Sequence, residues 1–154
     1  MVISNLSAVK LNEKPPAGEL TFTVDAKLEE REHRSGQVKI AFALNFGTKP
    51  SVVKFGVEGI AILSGKEADI EKMMEMDPET RIPRVLYGVY QQVFTSLFLV
   101  STVMSSPYPP ANLFNASKQA PPNVEMSTAL ATKDNLETAQ TTTESANVEK
   151  ESEQ

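Results

Sequence analysis

Apolar and polar residues alternate with period two over three stretches of the first half of the chain. Leu20, Phe22, Val24, Ala26 and Leu28 take every second position, and Thr21, Thr23, Asp25, Lys27 and Glu29 fill the places between. That alternation predicts a strand with one buried and one wet face. A polar run with Ser35-Gly36 as its turn signal follows, and then Val38, Ile40, Phe42, Leu44 and Phe46 alternate with Lys39, Ala41, Ala43 and Asn45. Two such runs across a polar turn predict an antiparallel hairpin. After Lys49-Pro50 comes Val53, Phe55 and Val57, then Ile60 and Ile62, so the apolar parity switches at Glu58-Gly59. A bulge there would return both halves to one face, and glycine tolerates one. Ile3, Leu6, Val9 and Leu11 mark a weaker fourth strand, ended by Pro15, Pro16 and Gly18.

Beyond Ile62 the period lengthens. Ser64 and Glu67 have the spacing of a capping box, with Ser64 as cap, and Ile70, Met73 and Met74 fall on one face of a short helix closed by Asp77-Pro78. Pro83 fits the first turn of a second helix, where its missing N–H costs nothing. Leu86, Tyr90, Val93, Leu97, Val100 and Met104 then recur at steps of four and three, an unbroken stripe for a core or an oligomer seam. Val85, Val89, Phe94, Phe98, Leu99 and Val103 lie outside the stripe and are apolar too. The helix should end at Ser105 or Ser106, because the residue before Pro107 avoids the helical region. The segment Pro107 to Phe114 then runs extended.

From Val85 to Ser117, between Arg84 and Lys118, there is no charged residue. A helix on the surface of a monomer would show a charged face to water. This one calls for a cover, either a second polypeptide or a membrane. Gln91, Gln92, Thr95, Ser96, Ser101 and Thr102 interrupt it and Arg84 is the nearest basic flank, so a protein cover is favoured over membrane insertion. Four strands spaced ~4.8 Å apart give a sheet face ~19 Å wide, whereas one helix is ~10–12 Å across. One long helix therefore covers about half of such a face, which predicts an oligomer, an exposed apolar groove, or both.

Composition sharpens this picture at the C-terminus. From Lys118 onward the large apolar side chains are only Val124, Met126, Leu130, Leu136 and Val148, amid prolines, a threonine run and a Glu-rich end. Burying each fully would gain roughly 1.5–3 kcal/mol, while ordering each backbone unit costs about 1–2 kcal/mol. The chain is thus expected to divide into one domain over 1–117 and a disordered Thr/Glu-rich tail over 118–154. The tail holds three lysines and seven acids, so most of the formal −5 charge resides there. The near-neutral remainder gives no electrostatic reason to expect nucleic acid as a partner. Without cysteine there are no disulfides, thiolate zinc sites or thiol catalysis. The first residues, MVISNLSAVKLNEKPP, lack the basic start and apolar core of a secretion signal, so a cytoplasmic protein is expected.

Catalytic constellations fail on inspection. His33, the single histidine, sits among Glu29, Glu30, Arg31, Glu32 and Arg34 in the turn region with no second ligand, and reads as a solvated turn residue. Gly59 to Lys66 invites comparison with a phosphate loop, but it is one residue too long and Glu67 stands where Ser or Thr should hold magnesium. Glu67, Asp69, Glu71, Glu75 and Asp77 read as the wet side of the short helix. No enzyme, metal or cofactor is expected.

Four strands, a short helix, a long helix and a proline-rich strap, in that order, resemble the SecB family of export chaperones over about residues 1–117. Phe55-Gly56-Val57-Glu58-Gly59-Ile60 resembles the family's fourth strand. Ile82-Pro83-Arg84-Val85-Leu86 resembles the start of its first long helix, and Pro109-Pro110-Ala111-Asn112-Leu113 its Pro-x-Leu-Asn-Leu strap. After Leu113 this chain departs from the family, which continues into a second long helix. The resemblance implies an α+β fold, a four-stranded antiparallel sheet with one short and one long helix packed on one side. It further implies an ATP-independent holdase that binds unfolded or nascent polypeptides in apolar grooves, as a homo-oligomer (dimer or tetramer). The positions matching the groove are Phe42, Phe46, Phe55, Tyr108 and Phe114, with Met73 and Met74 as adaptable contacts; for Phe42 and Phe55 a plain core role is an equal alternative. The rival reading is a dedicated structural subunit whose uncharged helix one permanent partner covers.

Overall fold

A computed structural model describes residues 1–14, 17–115 and 123–128. The chain forms strands β1 (Val2–Lys10), β2 (Thr21–Arg34), β3 (Gln37–Lys49) and β4 (Val53–Ser64), then helices α1 (Glu67–Met74) and α2 (Arg84–Met104). A 3-10 turn at Leu113–Asn115 and a last strand, β5 (Asn123–Thr128), follow. The sheet order is β1-β4-β3-β2-β5. The first four strands pair antiparallel, and β5 lies parallel to β2. The sheet is therefore five-stranded and mixed, not four-stranded and antiparallel. Its extra strand falls inside the segment expected to be a disordered tail; residues 118–122 and 129–154 of that segment lie outside the described residues.

The β2–β3 hairpin follows the alternation residue for residue. Arg34 pairs with Gln37 across the two-residue turn Ser35-Gly36, with Gly36 at φ 75°. That value lies in the left-handed region that glycine enters without penalty. Phe22, Val24, Ala26 and Leu28 of β2 and Val38, Ile40, Phe42, Leu44 and Phe46 of β3 are all buried on one face. At the far end of β3, buried Thr48 accepts hydrogen bonds at Oγ1 from Val52 N (2.8 Å) and Val53 N (3.2 Å), which sets the turn into β4.

β4 departs from expectation. Its register against β3 runs unbroken from Gln37↔Ser64 to Gly47↔Lys54, so there is no bulge at Glu58-Gly59. Val53, Phe55, Val57, Gly59 and Ala61 face the core, and Ile60 and Ile62 point outward, each 43% exposed. Packing explains the switch. A Cβ on Gly59 would lie 2.7 Å from Phe42 Cζ and clash with the Val2 carbonyl oxygen. The core face at this level is thin because the Phe42 ring and β1 fill it. The irregularity sits on β1 instead, between Ile3 and Asn5.

Both helices belong to the same core as the inner sheet face. α1 contributes Ile70, with Met74 partly buried beside it. The capping box does not form, since Lys66 is the N-cap residue and has no side-chain cap bond. Glu67 turns away to the β2–β3 hairpin, where its Oε1 lies 2.5 Å from His33 Nε2. α2 ends at Met104, with Ser105 in the left-handed conformation, and Lys10 Nζ reaches the Met104 and Ser105 carbonyls at 3.4 and 3.3 Å. A cation there satisfies carbonyls that have no partner within the helix. The buried stripe of α2 is Val85, Leu86, Val89, Tyr90, Val93, Leu97 and Ser101. Val100 and Met104 of the expected stripe are only partly buried.

Candidate functional site

The expected groove on the inner face of the sheet is closed. Phe42, Phe46 and Phe55 are 2–3% exposed and Phe114 is 7% exposed, so all four are core residues rather than groove lining. The width mismatch between sheet and helix is made up by other segments. Leu113 and Phe114 fold back onto α2, Ile70 of α1 joins the same cluster, and Val124 and Met126 of β5 extend it at the β2 edge. Tyr108 and Met73 are exposed and Met74 is partly buried. They do not converge. α1 leads into the start of α2, where Arg84 N donates to Glu75 O, whereas Tyr108 follows its end. The 21 residues of α2 separate these places by ~31 Å.

Among the described residues, the outer side of the C-terminal half of α2 is left open, as are apolar residues of the β1–β4 side of the sheet such as Val2, Val9, Ile60 and Ile62. Tyr90, Phe94 and Phe98 follow one another at i+4, so their rings line one flank of the helix. Phe46 lies 5.9 Å from Tyr90, Tyr90 lies 6.2 Å from Phe94, and Phe94 lies 6.5 Å from Phe98, between ring centroids. Tyr108 closes the row edge-on against Phe98, at 4.9 Å and 85°. This aromatic row runs from the core to the surface. Around its outer end Phe98 is 40%, Tyr108 47%, Leu99 58% and Val103 86% exposed. Gln92, Thr95 and Thr102 complete the exposed side of the helix, and no side chain on it carries a charge after Arg84.

The strap is held in place by hydrogen bonds from the same helix. Tyr90 donates its hydroxyl to the Pro110 carbonyl at 2.6 Å, and Gln91 Nε2 donates to the Ala111 carbonyl at 3.2 Å. Burial holds the Tyr90 phenol well above its usual pKa, so it remains a neutral donor. Phe114 then packs edge-on against Tyr90 at 4.9 Å and against Tyr87 at 5.9 Å. Tyr108 rests edge-on against Phe94 and Phe98 of α2 and is still 47% exposed.

A polar cluster marks the other end of the molecule. His33 Nε2 meets Glu67 Oε1, and His33 Nδ1 lies 3.2 Å from Glu30 Oε1. Glu67 Oε2 also accepts from Gly36 N at 3.5 Å. The imidazole pKa is raised, chiefly by the Glu67 contact and then by Glu30, and that of Glu67 is lowered, chiefly by His33. His33 is therefore a clamp between hairpin and helix rather than a merely solvated turn residue.

Phe98, Leu99 and Val103 were visible in the sequence as apolar residues outside the helical stripe. Ile60 and Ile62 were missed as surface residues, because the parity switch was read as a bulge. The signal for β5 was present in the alternation of Val124 and Met126 with Asn123, Glu125 and Ser127. No helix among the described residues is long and apolar enough to cross a membrane.

No family model matches the sequence, and no curated protein does. Among solved structures, the chain is similar to the SecB-like chaperone of Mycobacterium tuberculosis, determined in complex with a ChAD peptide from an antitoxin. The two share 11% sequence identity at a TM-score of 0.48, over 70% of this chain and 82% of that chain. The likeness of this chain to that SecB-like chaperone is distant.

Proposed function

We propose that this protein is an ATP-independent holdase that binds non-native polypeptides through apolar contact, without nucleotide or metal and without catalysis. One observation carries the reading. Phe98, Leu99 and Val103, with Tyr108 of the strap, form an exposed apolar surface on a helix that carries no charge after Arg84. Contiguous exposed apolar surface is a mark of interaction sites, those for another polypeptide among them. The site is non-directional, so many sequences can satisfy it. The order of elements and the Pro109–Leu113 strap, by which the sequence resembles the SecB family, support the same reading.

The binding surface in this proposal is the outer side of α2 with Tyr108, not a groove built on Phe42, Phe46 and Phe55. A homo-oligomer, dimer or tetramer, and a cytoplasmic setting belong to the proposal. The acidic C-terminal residues would keep a loaded complex soluble through net charge. The 86% exposure of Val103 on an uncharged helix equally suits a dedicated subunit whose helix one permanent partner covers.

Light scattering of the purified protein, titrated with a chemically unfolded client, separates the two. A stable assembly that takes up client and suppresses its aggregation supports the holdase. A protein that is insoluble alone, or a soluble one that ignores client, supports the dedicated subunit and overturns the holdase.

A further inference from the structure

β5 is placed differently from every other strand. β1 to β4 are joined to their neighbours as antiparallel partners, while β5 lies parallel on the outer edge of β2 and packs chiefly on that strand. It spans six residues against the fourteen of β2, pairing from Asp25↔Asn123 to Glu30↔Thr128. The stretches Thr21–Val24 and Arg31–Arg34 of this β2 edge have no strand beside them among the described residues. Parallel pairing is slightly weaker per residue than antiparallel. An extended chain running antiparallel along the whole of β2 would thus form a longer and stronger ladder than β5 does.

The side chains of β5 are what such a chain would need to supply. Val124 and Met126 are partly buried beside Ala26 and Leu28, and Asn123, Glu125 and Ser127 face solvent. Alternate apolar residues are the sole requirement visible at this edge, since backbone groups supply the rest. Methionine fits irregular apolar gaps and suits a contact that is made and unmade.

We propose that β5 is a self-occupying strand, which fills the β2 edge in the free protein and yields it to an extended client segment with alternating apolar residues. The inference rests on the holdase reading. It assigns to that reading a second contact and a control on it, because the edge is open along its whole length only when β5 has left.

The chain has no cysteine, so an engineered pair reports without interference. Asp25 and Asn123 are both exposed and face each other in the ladder, so Asp25→Cys with Asn123→Cys locks β5 without entering the core. Reduced carboxymethylated lactalbumin serves as the unfolded client. Oxidation within one chain is expected to weaken client binding at least about tenfold, and reduction to restore it. Hydrogen exchange on the unmodified full chain provides the second readout. On adding client, the amides of β5 should lose protection while those of β2 keep it.

Unchanged affinity in the oxidised variant, or protection of β5 that persists in the loaded complex, would overturn the proposal. A disulfide that forms between two chains would also overturn it, by showing that β5 serves exchange between copies. If the unmodified protein and the reduced variant both fail to bind client, the holdase reading itself has failed. If both bind client but the lock has no effect, only the role of β5 has.

Discussion

The hydroxyl of Tyr90 donates a 2.6 Å hydrogen bond to the carbonyl of Pro110, twenty residues further along the chain. The two residues tie the proline-rich strap to the helix that precedes it. Tyr90 is 1% exposed, and its ring also contacts Phe46, Phe94 and Phe114. Tyr90→Phe keeps the ring and removes the donor, so it should cost about 0.5–1.5 kcal/mol. Tyr90→Ala removes the ring as well and should cost about 3–5 kcal/mol. Urea denaturation of the two variants measures both, and a Tyr90→Phe variant as stable as the parent would show that the hydrogen bond contributes nothing.

Gly59 should tolerate no side chain. The Cβ of Gly59→Ala would press on the Phe42 ring and on the backbone of β1, so the ring or the edge strand must shift. Overpacking of this kind costs about 1–3 kcal/mol. The loss should appear in thermal unfolding, with increased amide exchange along β1. A variant as stable as the parent would mean that β1 lies farther from β4 than described.

The surface assigned to client binding can be changed without touching the core. Leu99→Asp together with Val103→Asp places two charges on exposed positions of α2. Stability should fall by no more than about 1 kcal/mol per site, the cost of an acid near a helix C-terminus. Client affinity should fall at least about tenfold, equivalent to ~1.4 kcal/mol. Aggregation suppression that survives in this double variant would move the binding surface elsewhere, with the exposed apolar residues Val2, Val9, Ile60 and Ile62 of β1 and β4 to test.

The clamp between His33, Glu30 and Glu67 predicts a pH profile. The pKa of His33 is raised from its ordinary 6.5, so its contribution to stability is complete below 6.5 and is lost as pH rises through the raised value. Glu67 is lowered from 4.5, so its contribution is present above 4.5 and is lost as pH falls through the lowered value. The clamp is strongest between the two. The groups are exposed, so solvent screening keeps the effect modest. The Tm of the parent should fall from about pH 5.5 to about pH 8.5 by more than that of His33→Gln, since only the parent loses the imidazolium. Parallel profiles would show that the clamp does not stabilise the fold.

Much of the architecture could be read from the order of residues because it is set by local periodicity. The alternation of β2 and β3, the Ser35-Gly36 turn and the end of α2 before Pro107 each depend on neighbours within a few residues. The tertiary structure decided what covers what. Whether Ile60 and Ile62 turn inward depended on the Phe42 ring and on β1, which approach Gly59 from other strands. Whether Phe42, Phe46 and Phe55 line a groove or a core depended on the rest of the cluster that joins them, with Tyr90 of α2 against Phe46 and Phe114 of the strap against Tyr90. The six residues of β5 could not be recognised from the average composition of their segment, because their partner is a strand about a hundred residues earlier. Periodicity determines which face of an element is apolar. Only the distant segments that reach that face determine whether it is buried, and among the described residues none covers Leu99 or Val103 at the outer end of α2.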